Sequence, residues 1–153
     1  MASSRFVYVT YIRTTPEKLW DALTKPEFTR AYWYGCHPES RWEKGAEWRL
    51  FAPDHRLTDS GEILEIDRPR RLVLSWRNEL FAEMRAEGHS RCTFEIEAMD
   101  DSVKLSVIHE IDTPKSKLIE GVSNGWPNIL SSLKSLLETG ASLDATRHWP
   151  KWL

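Results

Sequence analysis

The chain lacks the residue patterns of three broad protein classes. Two cysteines among 153 residues are too few for a disulfide framework. A net charge of −2 gives no basic surface for nucleic acid or for an anionic membrane. No segment approaches the roughly 20 consecutive apolar residues of a membrane helix, and the N-terminus lacks the apolar core of a signal peptide. We therefore expect a cytoplasmic protein that binds neither nucleic acid nor membranes.

Motifs of catalysis and of metal or cofactor binding are also missing. There is no Gly-x-Ser-x-Gly motif, no glycine-rich phosphate loop and no His-Glu-x-x-His motif. Two neighbouring pairs of metal-ligand types, Cys36 with His37 and His89 with Cys92, lack the repeated spacing of a zinc site. The sequence predicts no cofactor and no metal, and it favours a non-enzymatic role.

Tryptophan is abundant, with eight in the chain and aromatic residues at 11%. The length fits one domain with a sizeable core. Rigid aromatic rings suit the walls of a cavity and protein interfaces, but they suit an ordinary core equally well. Composition alone therefore leaves both interpretations open.

The apolar pattern of residues 115–138 predicts one long amphipathic helix. Nine apolar residues fall within an arc of roughly 120° at about 100° per residue. They are Leu118, Ile119, Val122, Trp126, Ile129, Leu130, Leu133, Leu136 and Leu137. Such a wide stripe needs a broad apolar surface to cover it, and Gly140 marks the end of the helix.

The rest of the chain predicts about six strands and two short helices. The first strand spans residues 5–13, and the helices span 16–24 and 26–32. The further strands are residues 47–52, 61–67, 71–77, 91–98 and 103–111, separated by short turn signals that imply an antiparallel meander. We expect a single domain over residues 1–140. The apolar tail, residues 141–153, is expected to fold back on the body or to form a dimer contact.

Alternation along these strands predicts which side chains face the helix. The candidate ligand-binding residues combine inward strand positions, helix positions and one aromatic residue after the second short helix. They are Trp33, Trp48, Leu50, Trp76, Phe94, Val107, His109, Trp126, Ile129 and Leu130. The tryptophans form either an aromatic box around a ligand or plain core. His109 is either a polar group of the cavity or a histidine bonded to a backbone carbonyl.

Four segments carry a family resemblance. They are residues 16–24 (PEKLWDALT), 61–72 (GEILEIDRPRRL), 74–76 (LSW) and 125–130 (GWPNIL). Their order and spacing resemble the helix-grip superfamily of START domains, birch-pollen-allergen-like proteins and polyketide cyclases. The closer match is its branch related to the activator of the heat-shock-protein-90 ATPase.

The resemblance implies an α+β fold in which a curved antiparallel sheet wraps around a long C-terminal helix and leaves a cavity between them. It also implies that a small hydrophobic or aromatic molecule binds in that cavity. Two alternatives come from other classes: an interaction protein that acts on a chaperone ATPase, and a cyclase or hydrolase acting on a polyketide-like substrate. The expected partners are a small hydrophobic molecule, a second copy of the chain and a chaperone.

Overall fold

The computed structural model describes residues 3–153, which form seven β-strands and four α-helices. In chain order these are β1 (Ser4–Ile12), α1 (Pro16–Thr24), α2 (Pro26–Tyr32), β2 (His37–Ser40), β3 (Glu47–Phe51), β4 (Leu57–Asp67), β5 (Arg71–Asn78), α3 (Ala82–Arg85), β6 (Ser90–Ala98), β7 (Val103–Ile111) and α4 (Lys117–Thr139). A short 3-10 helix at Asp144–Thr146 follows α4. Over residues 3–153, no helix is long and apolar enough to span a bilayer.

The strands form one antiparallel open sheet in the order β1-β7-β6-β5-β4-β3-β2. The first strand pairs with the last, from Ser4 opposite Ile111 to Ile12 opposite Val103. Shifts of register at Leu50/Phe51 and at Ile63/Glu65 are bulge-type irregularities, which bend a sheet. The α+β helix-grip architecture is confirmed.

Side-chain and backbone signals that are visible in the sequence set the helix boundaries. The Thr15 hydroxyl accepts a hydrogen bond from the Lys18 amide, and Pro16 occupies the first turn of α1. Ser116 caps α4 in the same way, through the Ile119 amide. Gly140 ends α4 with φ +86°, a left-handed conformation that favours glycine. The predicted bounds of α1 and α2 are therefore correct, and those of α4 are within two residues.

The prediction of about six strands is wrong by one, because the sequence predicts a loop where β2 lies. This strand has four residues, includes Pro38 and lies at the edge of the sheet beside β3. Proline cannot donate to a ladder, so it weakens the strand signal and is tolerated at an edge. The fourth strand also begins at Leu57, four residues before the predicted start at Gly61.

The core lies between the inner face of the sheet and the apolar stripe of α4. The inward positions of β7 alternate as predicted, and every second residue from Val103 to Ile111 is buried. Seven residues of α4 are buried, including Trp126, Leu130 and Leu133. The alternation and the helical stripe thus identified the two surfaces that pack together.

The C-terminal tail, residues 141–153, returns along the body after Gly140. The Leu143 amide donates to Ser132 Oγ on α4 at 2.9 Å, and the Tyr34 amide donates to the Thr146 carbonyl at 2.7 Å. Near the end of the chain, Arg56 Nη2 donates to the Leu153 carbonyl at 2.7 Å. The tail therefore lies beside α4, the segment after α2, and the β3–β4 loop.

Candidate functional site

A cavity of about 760 Å³ lies between α4, strands β3 to β5, the α3 region and the tail. We call it the main cavity. Its residues before α4 are Trp33, Tyr34, Cys36, Leu50, Thr58, Asp59, Trp76, Asn78, Leu80, Phe81 and Met84. Its helix and tail residues are Leu118, Gly121, Val122, Asn124, Gly125, Trp126, Asn128, Ile129, Ala145, His148, Trp149, Pro150, Trp152 and Leu153.

Three indoles form a continuous aromatic wall of the main cavity. Trp33 stacks on Trp76 with ring centroids 6.1 Å apart and an interplanar angle of 13°. Trp126 meets both of them edge-on, at 5.3 Å from Trp33 and 5.6 Å from Trp76. Offset and edge-to-face packing of this kind favours a fixed arrangement of the rings.

A buried hydrogen-bond chain fixes the Trp126 indole. Trp126 Nε1 donates to His109 Nδ1 at 3.2 Å, so that nitrogen carries no proton. His109 Nε2 lies 2.8 Å from Ser90 Oγ, whose hydroxyl donates to the Trp76 carbonyl at 2.8 Å. The chain therefore requires the neutral tautomer of His109 with its proton on Nε2. Burial lowers the pKa of His109 to about 3, which agrees with a neutral ring.

His109 lies behind Trp126 and does not line the main cavity. Its exposed fraction is 0% and both ring nitrogens are bonded within the protein. The sequence analysis offered two interpretations of His109, a polar group of the cavity or a histidine bonded to a backbone carbonyl. Neither describes the structure, because His109 lies outside the main cavity and its partners are side chains. Its role is to position the indole of Trp126.

A carboxyl group in the cavity wall fixes the second inward indole. Trp76 Nε1 donates to Asp59 Oδ1 at 2.8 Å, and Asp59 is half-buried in the wall of the main cavity. Burial raises the pKa of Asp59 to about 6, and the nearby Glu79 contributes in the same direction. Asp59 is therefore a carboxyl group in an apolar, aromatic setting.

The ten predicted ligand-binding residues are divided between cavity and core. The main cavity is lined by five of them: Trp33, Leu50, Trp76, Trp126 and Ile129. Trp48 and Phe94 border a separate void of about 20 Å³, which is no larger than a water site. Val107, His109 and Leu130 are buried in the core and line neither space.

Sequence reasoning missed the polar part of the main cavity and its outer wall. Asp59 was overlooked because the predicted strand began at Gly61, which left residues 57–60 outside the alternation pattern. Phe81 and Met84 come from the four-residue helix α3 and its flank, which no periodic pattern marks. The tryptophans of the tail were visible, but their distance in sequence from the sheet gave no direct sign of where they pack.

The tail forms one side of the main cavity. Trp149, Pro150, Trp152 and Leu153 all line it, and the Arg56 guanidinium lies 5.6 Å from the Trp149 ring centroid. The Trp149 indole N–H is buried without a hydrogen-bond partner among the residues that the structure describes.

No group of three or more His, Cys, Asp or Glu side chains within residues 3–153 is arranged to hold a metal ion. The two cysteines are buried and are not bonded to each other. Burial raises the pKa of the Cys36 thiol to about 12, so this cavity-lining group is a thiol and not a thiolate at neutral pH.

Comparison with solved structures identifies several proteins of the same fold. CalU16 from Micromonospora echinospora has a TM-score of 0.73 at 19% identity, covering 94% of this chain and 80% of its own. The Aha1 dimer structure from Colwellia psychrerythraea has a TM-score of 0.72 at 15% identity, covering 90% and 98%. An HSP90 activator from Plasmodium falciparum has a TM-score of 0.69 at 25% identity, covering 87% and 95%.

A search of curated proteins found no match. The family model described as "Activator of Hsp90 ATPase homolog 1-like protein" matches residues 13–138, which include α1 to α3, all of α4 except its last residue, and all strands except β1. This match covers most of the chain and agrees with the helix-grip architecture. The chain therefore belongs to the Activator of Hsp90 ATPase homolog 1-like family.

Proposed function

We propose that this protein binds a small hydrophobic or aromatic molecule in the main cavity. The observation that carries the proposal is a space of about 760 Å³ with three indoles in its wall. Pockets for small ligands commonly have volumes of about 300–1,000 Å³ and combine apolar walls with a few polar groups. The main cavity has both features, because Asp59, Asn78 and Thr58 lie among its apolar residues.

The wall is held in place before any ligand arrives. Trp126 is fixed through His109, and Trp76 is fixed through Asp59. Side chains that are already ordered lose little conformational entropy on binding, which favours affinity for a flat ligand. The hydrogen-bond chain behind the rings therefore supports a binding role over that of an ordinary core.

The arrangement supports binding more than catalysis. A cyclase or hydrolase needs an acid and a base that converge on the substrate. His109 has both nitrogens occupied and lies outside the main cavity, so it is not available as a base. Asp59 is the single aspartate or glutamate side chain among the described lining residues, which leaves it without a matched acidic side chain.

Native mass spectrometry of freshly purified protein tests the proposal. We expect an additional non-covalent mass of a few hundred daltons that is absent under denaturing conditions. Val122→Trp places an indole into the main cavity and should remove this mass, because Val122 lines it. Ser131→Trp on the exposed face of the same helix is the matched control and should retain it.

If native mass spectrometry shows only the mass of the protein itself, the next experiment is titration with methylnaphthalene. If the wild type and both variants bind this compound equally weakly or not at all, the cavity-binding proposal is wrong.

A second candidate function is an interaction with a chaperone of the Hsp90 type. Family membership and the similarity to an HSP90 activator support it, as does an apolar strip on the outer face of β1. Val7, Val9 and Tyr11 are 47%, 44% and 49% exposed on this strip. Apolar side chains exposed together favour a protein contact, with the chaperone or with a second copy of the chain.

The chaperone candidate is tested by measuring Hsp90 ATPase activity with and without this protein. Stimulation that is lost in the triple variant Val7→Ser, Val9→Ser, Tyr11→Ser would support it. Analytical ultracentrifugation of the wild type and of the same variant shows whether the substitutions also disrupt a homodimer. An unchanged ATPase rate with the wild type contradicts the candidate.

A further inference from the structure

The charged side chains that line the main cavity do not balance one another. Among the described residues that line it, Asp59 is the one acidic side chain, and neither lysine nor arginine is present. His148, on the tail, is the one imidazole. No ion pair to Asp59 is formed within residues 3–153, although arginines neutralise many other carboxylates of this protein. The cavity therefore offers a carboxyl group without a protein cation to balance it.

The indoles of the cavity wall lie close to the carboxyl group of Asp59. Trp76 is bonded to Asp59 through its indole nitrogen, and Trp33 is stacked on Trp76. A cation within about 6 Å of an indole face is attracted by the electron density of the ring, most strongly where water is excluded. Trp76 points its N–H edge at Asp59, so the carboxylate would supply the charge contact with a positive group and the indoles of the wall would contact the body of the ligand.

We infer that the main cavity selects organic cations, namely amines whose ammonium group pairs with Asp59 and whose aromatic or aliphatic body packs on Trp33, Trp76 and Trp126. The inference rests on the proposed function and names its ligand class. Anionic ligands are disfavoured, because they would lie against Asp59 without a basic residue to compensate. Neutral ligands would keep the aromatic contacts and lose the ion pair.

A purely structural role of Asp59 makes a different prediction. The Trp76 indole needs one acceptor, which an asparagine side-chain carbonyl supplies as well as a carboxylate does. A carboxylate is costly to bury, so a structural acceptor gains nothing from its charge. Asp59→Asn keeps the acceptor and removes the charge, and this substitution separates the two roles.

Isothermal titration calorimetry at about pH 7.5 with three probes of one shape tests the inference. The probes are naphthylmethylammonium, methylnaphthalene and naphthoate. We expect the ammonium probe to bind the wild type at least about tenfold more tightly than methylnaphthalene and naphthoate to bind most weakly. In Asp59→Asn this preference should vanish while methylnaphthalene affinity stays within about twofold.

Glu62→Gln is the matched control, since it removes one carboxylate from the exposed face of the same strand. It should leave the preference for the ammonium probe unchanged. Thermal melts of both variants establish that they are folded.

The calorimetry distinguishes failure of the inference about organic cations from failure of the proposed function. If methylnaphthalene and the ammonium probe bind the wild type equally, the inference is overturned while the proposed function stands. If no probe binds, both are overturned. A preference for the ammonium probe that persists in Asp59→Asn places the cation elsewhere and also overturns the inference.

The pH dependence of the ammonium probe gives an independent readout. Burial holds the pKa of Asp59 near 6, so its charge is lost as the pH falls below that value. Affinity for the ammonium probe should fall through this range, and Asp59→Asn should show no such fall. The other groups to consider are Cys36, His148 and Glu79, the last of which is paired with Arg77 at 2.7 Å. A fall that disappears in His148→Gln but remains in Asp59→Asn would contradict the assignment to Asp59.

Discussion

The indole nitrogen of Trp126 donates to Nδ1 of His109 at 3.2 Å, in a core where His109 has no exposed surface. This bond connects the cavity wall to strands β7 and β6, because Nε2 of the same ring bonds Ser90. A histidine on strand β7 therefore controls the orientation of a ring on helix α4. The pair also excludes a charged His109, since an imidazolium could not accept from Trp126.

Replacing His109 by leucine should destabilise the protein by about 1–3 kcal/mol, because the buried Trp126 N–H would lose its acceptor. His109→Gln offers both an acceptor and a donor and should cost less. Urea unfolding followed by far-ultraviolet circular dichroism measures both variants. Equal stabilities of the leucine and glutamine variants would contradict a role for the hydrogen-bond chain.

The stability contributed by His109 should depend on pH. Burial lowers its pKa from 6.5 to about 3, so between these values the unfolded chain binds a proton that the folded chain does not. Stability therefore falls as the pH falls through this window, by at most about 1.4 kcal/mol per pH unit. Between about pH 7 and about pH 4, the free energy of unfolding should change less with pH in His109→Gln than in the wild type. Identical pH profiles would disagree with the assignment.

The pH dependence of stability contributed by Asp59 should have the opposite sign to that contributed by His109. Its pKa is raised from 3.8 to about 6, so in this window the folded chain holds a proton that the unfolded chain has lost. Asp59→Asn should therefore be more stable than the wild type above about pH 6, by on the order of 1 kcal/mol, and this gain should disappear near pH 4. Urea unfolding at the two ends of the window measures the difference. A gain of the same size at both ends would contradict the buried carboxylate.

Two glycines should respond to alanine with opposite signs. At Gly61 a Cβ atom would lie 1.8 Å from the Ser75 carbonyl oxygen and 2.8 Å from Trp48 Nε1, two atoms that are hydrogen-bonded to each other. Gly61→Ala should therefore cost about 2–4 kcal/mol. At Gly125 a Cβ meets no atom within 4 Å, and the residue lies inside α4. Gly125→Ala should stabilise by about 0.5–1 kcal/mol, as thermal melting would show.

Deleting residues 142–153 should lower the melting temperature or break a dimer. The deletion removes the buried Thr146 and the cavity-lining Trp149 and Leu153. Lys151→Ala is the matched control, because this side chain is exposed in the same segment and does not line the main cavity. Differential scanning calorimetry and ultracentrifugation compare the three proteins. A truncated protein that matches the full chain in both melting temperature and oligomeric state would contradict a structural role for the tail.

Regular patterns in the sequence predicted most of the fold. The cap at Thr15 with Pro16 located α1, and the strict alternation from Val103 to Ile111 located β7 with its bounds. These signals act over one or two turns or a single strand, so they can be recognised locally. The edge strand β2 was missed because four residues that include Pro38 show no period.

The candidate site was predicted only in part, because a cavity is a property of several distant segments. Trp76 and Trp126 were found since their side chains share the inward pattern of strand and helix. The same pattern selected Val107 and Leu130, which fill the core, and it carries no information about where packing leaves a space. Asp59 was missed because it precedes the predicted strand start at Gly61, and its partner Trp76 lies 17 positions away in sequence.

The order of the strands also affects how the chain reaches this structure. Strand β1 pairs only with β7, so Ser4 and Ile111 must meet across nearly the whole domain, whereas strands β2 to β7 join neighbours in sequence. Closing such a long loop is entropically unfavourable, and folding rates fall as contacts become less local. We expect the meander to form first and β1 to dock last. Until then Val7, Val9 and Tyr11 belong to an unpaired apolar strand, which makes β1 a segment exposed to misassembly during folding.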